Sequence, residues 1–216
     1  MKQSVATILV ASMVIAFGVG QAHTAPKHSF IPVCWELGIK TSRPQAIEVQ
    51  LPGQSGPKVF WYVRYTVTNR TKEDQFFVPE FTLYTDTGQK MRAGRGVSGQ
   101  VFLEIKKRHN DPLLKDITGM TRKLLRGTDN ARRGVAIWPD FDSAAAGFDV
   151  FIGGLSGETA EVTPPRPVMV KQYGKQVVKK TLVLAKTRRL VYRIVGKPRA
   201  RLHTSLRLDS KGWVMR

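Results

Sequence analysis

The stretch KVFWYVRYTVT, residues 58–68, decides the fold of this chain. It is rich in β-branched and aromatic residues and is followed by Asn69-Arg70-Thr71, a composition typical of a strand that ends in a turn. Successive side chains of a strand point to opposite faces. The more uniformly apolar face, which we expect to lie on the core, carries Trp61, Val63, Tyr65 and Val67.

Short strands separated by turn residues continue along the chain. The pattern predicts further strands at residues 76–78, 81–84, 101–105, 134–138, 148–152 and 159–162. Thr85-Asp86-Thr87-Gly88 is typical of a hairpin turn. Because strands follow one another with little helix between them, the sequence favours a mainly β fold, an antiparallel β-sandwich of the immunoglobulin-like kind.

One short helix is predicted to interrupt the strands, at about residues 112–126. Asp111 is suited to the N-cap and Pro112 to the first helical position, and Gly127 would end the helix. Apolar residues recur at helical spacing from Leu113 to Leu125. We expect this apolar stripe to pack over one end of the sandwich, with a partner-binding helix as the alternative.

Four segments resemble a known group of domains. They are YTVTNRT (65–71), FTLYTDTG (81–88), LRGT (125–128) and GVAIW (134–138). Together they resemble secreted bacterial immunoglobulin-like β-sandwich domains of the DUF4352 and FxLYD type. The resemblance covers residues 55–164 and implies the sandwich fold, with no catalytic residues to transfer.

The first 22 residues are typical of a secretory signal peptide. Lys2 precedes an apolar run over residues 5–19, shorter than the roughly 20 residues that span a bilayer, and small residues follow at Gly20 and Ala22. We expect cleavage after Ala22, export to the periplasm or the medium, and no transmembrane span in the mature chain. The predicted division is therefore a signal peptide at 1–22, a sandwich at 23–164 and a basic segment at 165–216, which either completes the sandwich or stands apart.

Positive charge is concentrated in that last segment. Residues 165–216 contain fifteen Lys and Arg residues and one acidic residue, Asp209. This segment therefore carries +14 of the formal net charge of +19. The segments 180–185 and 190–195 are predicted to form a basic β-hairpin around a turn at 186–189. Clustered cations gain free energy by releasing counterions from a polyanion, although lysines also protect sheet edges from aggregation. The candidate polyanion-binding residues are Lys179, Lys180, Lys186, Arg188, Arg189, Arg193, Lys197, Arg199 and Arg201.

No residue pattern in the chain predicts catalysis. The four histidines are scattered singly, and a single cysteine leaves no internal disulfide to form. Asp140 and Asp142 are the best metal candidates, because alternating carboxylates on a loop can bind calcium, with a capping turn as the alternative. We expect no cofactor and no enzymatic activity.

The sequence therefore favours an exported, non-catalytic binding protein of the cell envelope. In this hypothesis the sandwich contacts a protein partner and the basic hairpin contacts an anionic surface. The alternative is a polyanion-binding protein, for a wall polymer, an anionic lipid or nucleic acid, in which the sandwich is only a scaffold. A specific nucleic-acid target is not expected, because no stacking platform or recognition helix is apparent.

Overall fold

A computed structural model describes residues 26–29, 31, 34–172, 174–196, 202 and 206–216. The predicted signal peptide lies outside these residues, and so do Lys197, Arg199 and Arg201 of the candidate binding residues. The described chain is mainly β, with several antiparallel sheets and two short helices, which confirms the predicted fold class at that level.

The strands and helices follow one another in an order dominated by β-structure. The strands are β1 (Gly38–Thr41), β2 (Gln45–Gln50), β3 (Pro57–Asn69), β4 (Gln75–Phe77), β5 (Glu80–Thr85), β6 (Lys90–Arg92), β7 (Arg122–Leu124), β8 (Gly127–Pro139), β9 (Gly147–Gly153), β10 (Thr159–Val162), β11 (Val168–Gln172), β12 (Lys175–Lys179), β13 (Leu182–Ile194) and β14 (Leu206–Met215). The helices are α1 (Gly99–Arg108) and α2 (Ile117–Met120).

Two larger sheets organise these strands. In the first sheet, β3 is central, with β8 along one side and β2 and β1 in succession along the other. In the second sheet, β13 pairs with β14 on one side and with β9 and β10 in succession on the other, and β5 and β6 extend the sheet beyond β9. Two small sheets, β4–β7 and β11–β12, complete the described structure.

The core lies where the two larger sheets bury their apolar faces. Trp61 and Trp138 of the first sheet belong to the same buried cluster as Phe148 and Tyr192 of the second. All four side chains named on the predicted core face of residues 58–68 belong to this cluster, which confirms the expectation. The opposite face of β3 is also covered, because Phe60 and Tyr62 pack with Val101 and Ile105 of α1 in a second cluster.

The predicted strand at 101–105 is wrong, since these residues lie in α1. The Ser98 hydroxyl caps this helix by accepting a hydrogen bond from the Gln100 backbone N–H. Val101 and Ile105, one helical turn apart, are fully buried against the first sheet. A run as short as VFLEI has no decisive periodicity, and the apolar side chains of Phe60 and Tyr62 supply the surface that selects the helix.

The predicted helix at 112–126 is also wrong. Only Ile117–Met120 is helical, and Arg122–Leu124 forms β7. The segment satisfies its backbone groups with other strands: the Lys115 N–H donates to the Arg133 carbonyl, the Val135 N–H donates to the Lys115 carbonyl, and β7 pairs with β4. Hydrogen bonds to these neighbouring strands replace the bonds that the backbone would make within a helix, so the segment does not need to be helical.

The predicted hairpin with a turn at 186–189 is likewise wrong. Residues 182–194 form one continuous strand, β13, and the antiparallel partner of its second half is β14. Lys-Thr-Arg-Arg contains no residue that favours a positive φ, and the structure supplies partners for its cations. β13 and β14 pair within the same sheet as β9, so these parts of the basic segment join that sheet.

Within the part of the chain that the structure describes, neither helix has the length or the apolar composition to cross a bilayer.

Candidate anion-binding surface

Alternation along β13 separates its cations into two groups. Leu190 and Tyr192 point into the core, so Lys186 and Arg188 share their side of the sheet. Arg189 and Arg193 point to the opposite side, away from the core. The side of the second sheet that carries Arg189 and Arg193 is called the outer face below.

Lys186 is held inside the protein by two glutamates. Its side chain is 1% exposed, and its Nζ lies 3.0 Å from Glu158 Oε2 and 3.1 Å from Glu36 Oε2. Nζ also donates to the Ser29 carbonyl oxygen at 3.1 Å. These contacts join β13 to the loop before β10 and to the segment before β1, and we call Glu36, Glu158 and Lys186 the buried ion cluster.

The charges of the buried ion cluster stabilise each other. Burial lowers the pKa of Lys186, but hydrogen bonds and charges from Glu158 and Glu36 outweigh it, so the pKa is raised. The pKa of Glu158 is lowered, first by the hydrogen bond from the Ser29 backbone N–H and then by the bond from Lys186. Lys186 is therefore a charged structural residue that an external polyanion does not reach.

Arg188 also has an internal partner. Its guanidinium Cζ lies 5.2 Å from the centre of the Trp213 ring, directly across the β13–β14 pair. Lys186 Nζ lies 5.2 Å from the same ring. Two of the predicted binding cations on the core side of the sheet thus contact Trp213 through cation–π interactions.

Arg189 and Arg193 remain on the outer face, each beside a carboxylate. Arg189 donates to Asp149 Oδ2 through Nε at 2.7 Å and approaches it through Nη2 at 2.6 Å, and its Cζ lies 5.8 Å from the centre of the Phe151 ring. Arg193 Nε lies 3.9 Å from Asp209 Oδ2. The exposed ends of both cations are available to a ligand, although each is partly neutralised.

Arg216 lies across this outer face. Its Cζ is 4.2 Å from the centre of the Phe151 ring and 4.8 Å from the centre of the Tyr84 ring. Lys90 Nζ lies 5.5 Å from the centre of the same Tyr84 ring, in the neighbouring strand. Among the described residues, neither Lys90 nor Arg216 has a carboxylate within ion-pair distance.

Two open depressions lie on either side of the Arg216 side chain. One, of about 420 Å³, is lined by Arg189, Arg193, Asp149 and the Tyr84 ring. The other, of about 330 Å³, is lined by Lys90, Arg92, Glu80 and Thr187. Arg216 and Phe151 line both, and we call the two together the arginine groove. Its five cations outnumber the carboxylates of Glu80, Asp86 and Asp149, which gives it a net positive charge.

The remaining candidates that the structure describes do not line the arginine groove. Lys179 ends β12 and Lys180 follows it, both exposed on the small β11–β12 sheet. Lys197, Arg199 and Arg201 lie outside the described residues. Of the six predicted cations that the structure describes, only Arg189 and Arg193 lie on this part of the outer face.

Asp140 and Asp142 are engaged in the loop after β8. Asp140 Oδ1 accepts hydrogen bonds from Trp61 Nε1 at 2.8 Å and from the Phe141 N–H at 3.0 Å. Asp142 Oδ1 accepts from the Ala144 N–H at 2.9 Å. Over the described ranges, the structure contains no group of three or more His, Cys, Asp or Glu side chains placed to hold a metal ion.

Sequence reasoning missed the residues that complete the groove. Tyr84 and Lys90 flank the predicted turn and pair across the hairpin. This pairing could have been predicted from the sequence, because a hairpin places the residues on either side of its turn opposite each other. Arg216 stacks on Tyr84 and Phe151, which lie far from it in the sequence. No local pattern links residues 84, 151 and 216, because only the order of strands in the sheet brings them together.

Comparisons with known proteins do not identify the chain. No family model matches it, and neither a curated protein nor a solved structure shows significant similarity to it. The resemblance to the DUF4352 and FxLYD type of domain stays a prediction.

Proposed function

We propose that this protein is an exported, non-catalytic binding protein of the cell envelope, in the periplasm or outside the cell, that holds an anionic polymer in the arginine groove. The fold that presents the groove is proposed to be an immunoglobulin-like β-sandwich. The leader-like residues 1–22 support export, and the packing of the two sheets against each other supports the sandwich.

The observation that carries the proposed function is the convergence of Lys90 and Arg216 on the Tyr84 ring. Two cations lie beside one ring without a carboxylate within ion-pair distance among the described residues. The repulsion between them is relieved when an anion binds. The neighbouring pairs Arg189–Asp149 and Arg92–Glu80 extend the row of guanidinium groups on both sides.

A polymer suits this surface better than a small anion. The two depressions are open and lie in series on one sheet face, with Arg216 between them. Guanidinium groups pair with carboxylate, sulfate or phosphate in a planar, bidentate manner. An extended chain with repeated anionic groups would contact Lys90, Arg216 and Arg189 in succession.

The proposed function is tested with a heparin oligosaccharide as the probe polyanion. The double variant Lys90→Gln/Arg216→Gln removes the two cations without carboxylate partners, and Lys106→Gln/Lys107→Gln on α1 removes the same charge from another surface. We expect the first variant to bind about tenfold more weakly and to lower the slope of log K against log salt by about two, as for two lost ionic contacts.

Equal losses in the two variants would show that heparin binding depends on the overall charge of the protein. Unchanged binding of the groove variant would contradict the proposal directly.

The protein partner predicted for the sandwich stays a prediction. Phe76, Val78 and Leu125, which are 63%, 50% and 49% exposed at the β4–β7 sheet, are the side chains at which such a contact would first be sought.

A further inference from the structure

The β11–β12 sheet, residues 168–179, forms a two-stranded ribbon that is exposed on both of its faces. All five residues of β12 are exposed, and the two strands pair with each other over five residues. An isolated two-stranded ribbon is marginally stable in water. This ribbon nevertheless carries a concentration of apolar side chains in its centre.

Those apolar side chains lie on both faces. Met169 pairs with Val178, and the next pair along the ribbon is Val170 with Val177. Successive pairs of an antiparallel ribbon point to opposite sides. Met169 is 59% exposed, Val178 54% and Val177 38%.

Basic residues surround this apolar centre. Arg166, Lys175, Lys179 and Lys180 are exposed, and residues 163–181 contain no Asp or Glu. The ribbon therefore combines positive charge with apolar groups that water does not favour. Its occupant has to be anionic and has to bury apolar side chains on two opposite faces.

A lipid interface meets both conditions. A flat protein or polysaccharide surface covers one face of a ribbon, whereas lipid headgroups and the upper acyl chains surround an inserted ribbon on both faces. Anionic headgroups attract nearby lysines and arginines. No described strand pairs with the outer edge of β11 or of β12. Because unpaired backbone groups are costly in hydrocarbon, the ribbon would stay at the depth of the headgroups.

We propose that the ribbon inserts into the headgroup region of an anionic lipid membrane, with Met169, Val170, Val177 and Val178 in contact with lipid and the surrounding lysines on lipid phosphates. This site is separate from the arginine groove and does not depend on its function. The ribbon shares no residue with the lining of the arginine groove, so the full chain would have two separate anionic ligands.

The test measures cosedimentation of the protein with vesicles of phosphatidylcholine, with or without phosphatidylglycerol. Wild type is expected to bind the anionic vesicles. The variant Met169→Ser/Val178→Ser keeps every charge and should lose about tenfold in partitioning, because two buried apolar side chains are removed. The control Leu103→Ser/Leu113→Ser changes two leucines that are 61% and 62% exposed elsewhere, and should bind as wild type does.

Three further measurements keep the proposal falsifiable. Met169→Leu/Val178→Ile preserves the apolar pair and should bind fully, which separates lost lipid contact from a damaged ribbon. Lys179→Gln/Lys180→Gln should weaken binding to anionic vesicles, and the effect should diminish in high salt. Lys90→Gln/Arg216→Gln should leave vesicle binding unchanged, so that failure of the groove and failure of the ribbon are distinguishable.

Full binding by Met169→Ser/Val178→Ser would overturn the insertion. Equal binding of wild type to vesicles without phosphatidylglycerol would overturn the requirement for an anionic lipid.

Discussion

β13 and the ribbon belong to the same basic part of the chain, but their lysines differ in burial and in ion pairing. In β13, Lys186 is 1% exposed and contacts two glutamates. In the ribbon, Lys175 and Lys179 are exposed in a segment without acidic residues. A high density of lysine and arginine thus includes both structural cations and cations available to a partner.

The difference depends on whether other elements of the fold bring a carboxylate to the cation. Glu36 and Glu158 reach Lys186 from other elements of the fold, 150 and 28 residues away. Inside a protein an unpaired charge is costly, so these acids make the burial of Lys186 possible. No described strand of the larger sheets pairs with the ribbon to bring a comparable acid to it.

The largest expected effect is the loss of the buried cation. Lys186→Met leaves two carboxylates together without their partner, and we expect the free energy of unfolding to fall by about 3 kcal/mol or more. Arg189→Met, on the exposed side of the same strand, should cost less than about 1 kcal/mol. Urea denaturation of both variants measures the difference, and similar losses would erase the distinction between the two sides of β13.

A smaller effect is expected from crowding the strands beside β13. A Cβ at Gly147 in β9 would lie 2.8 Å from the Tyr192 carbonyl oxygen of β13, whereas a Cβ at Gly212 in β14 would meet no atom within 4 Å. Gly147→Ala should therefore destabilise the fold by about 1–3 kcal/mol. Gly212→Ala is the matched control and should change stability by less than about 0.5 kcal/mol. If Gly147→Ala and Gly212→Ala had the same free energy of unfolding, β9 and β13 would not be in close contact at Gly147.

The smallest expected effect is a dependence on acid pH. The pKa of Glu158 is lowered in the folded state from its ordinary value of 4.5, so its stabilising contribution is complete above pH 4.5 and is lost as the pH falls through the lower folded value. Lys186, whose pKa is raised, stays charged throughout this range. We expect the Tm of wild type to fall more steeply below pH 4.5 than that of Glu158→Gln.

The control for this pH profile is Glu48→Gln, at an exposed position of β2, which should follow wild type. Parallel profiles for wild type and Glu158→Gln would contradict the assignment of the acid sensitivity to the buried ion cluster.

Local residue patterns predicted the secondary structure correctly where neighbouring residues in the sequence determine it. Residues 58–68 are so rich in β-branched and aromatic residues that the strand was predictable, and the more uniformly apolar face was correctly assigned to the core. Residues 159–162 also form the strand that was expected. Pattern failed where a distant surface selects the conformation. VFLEI is helical because its apolar side chains meet Phe60 and Tyr62, and the segment after Asp111 takes its hydrogen bonds from β8 and β4.

The candidate site shows the same limit. The concentration of cations near the end of the chain was evident from composition, and so were Arg189 and Arg193 as members of a basic strand. Their separation from Lys186 and Arg188 was not, because residues 186–189 were predicted to be a turn and not part of an alternating strand. Lys90, Tyr84 and Phe151 became part of the groove only through the order β13, β9, β5, β6 in the sheet.

The sequence by itself determined the mainly β character of this protein and the uneven distribution of its charge, since both depend on residue type and spacing. The tertiary structure alone decided which cations are buried, which converge on Tyr84 and which surround the apolar centre of the ribbon. The physical reason is that charge and burial depend on distances between atoms in space, and strands far apart in the chain set those distances when they pair.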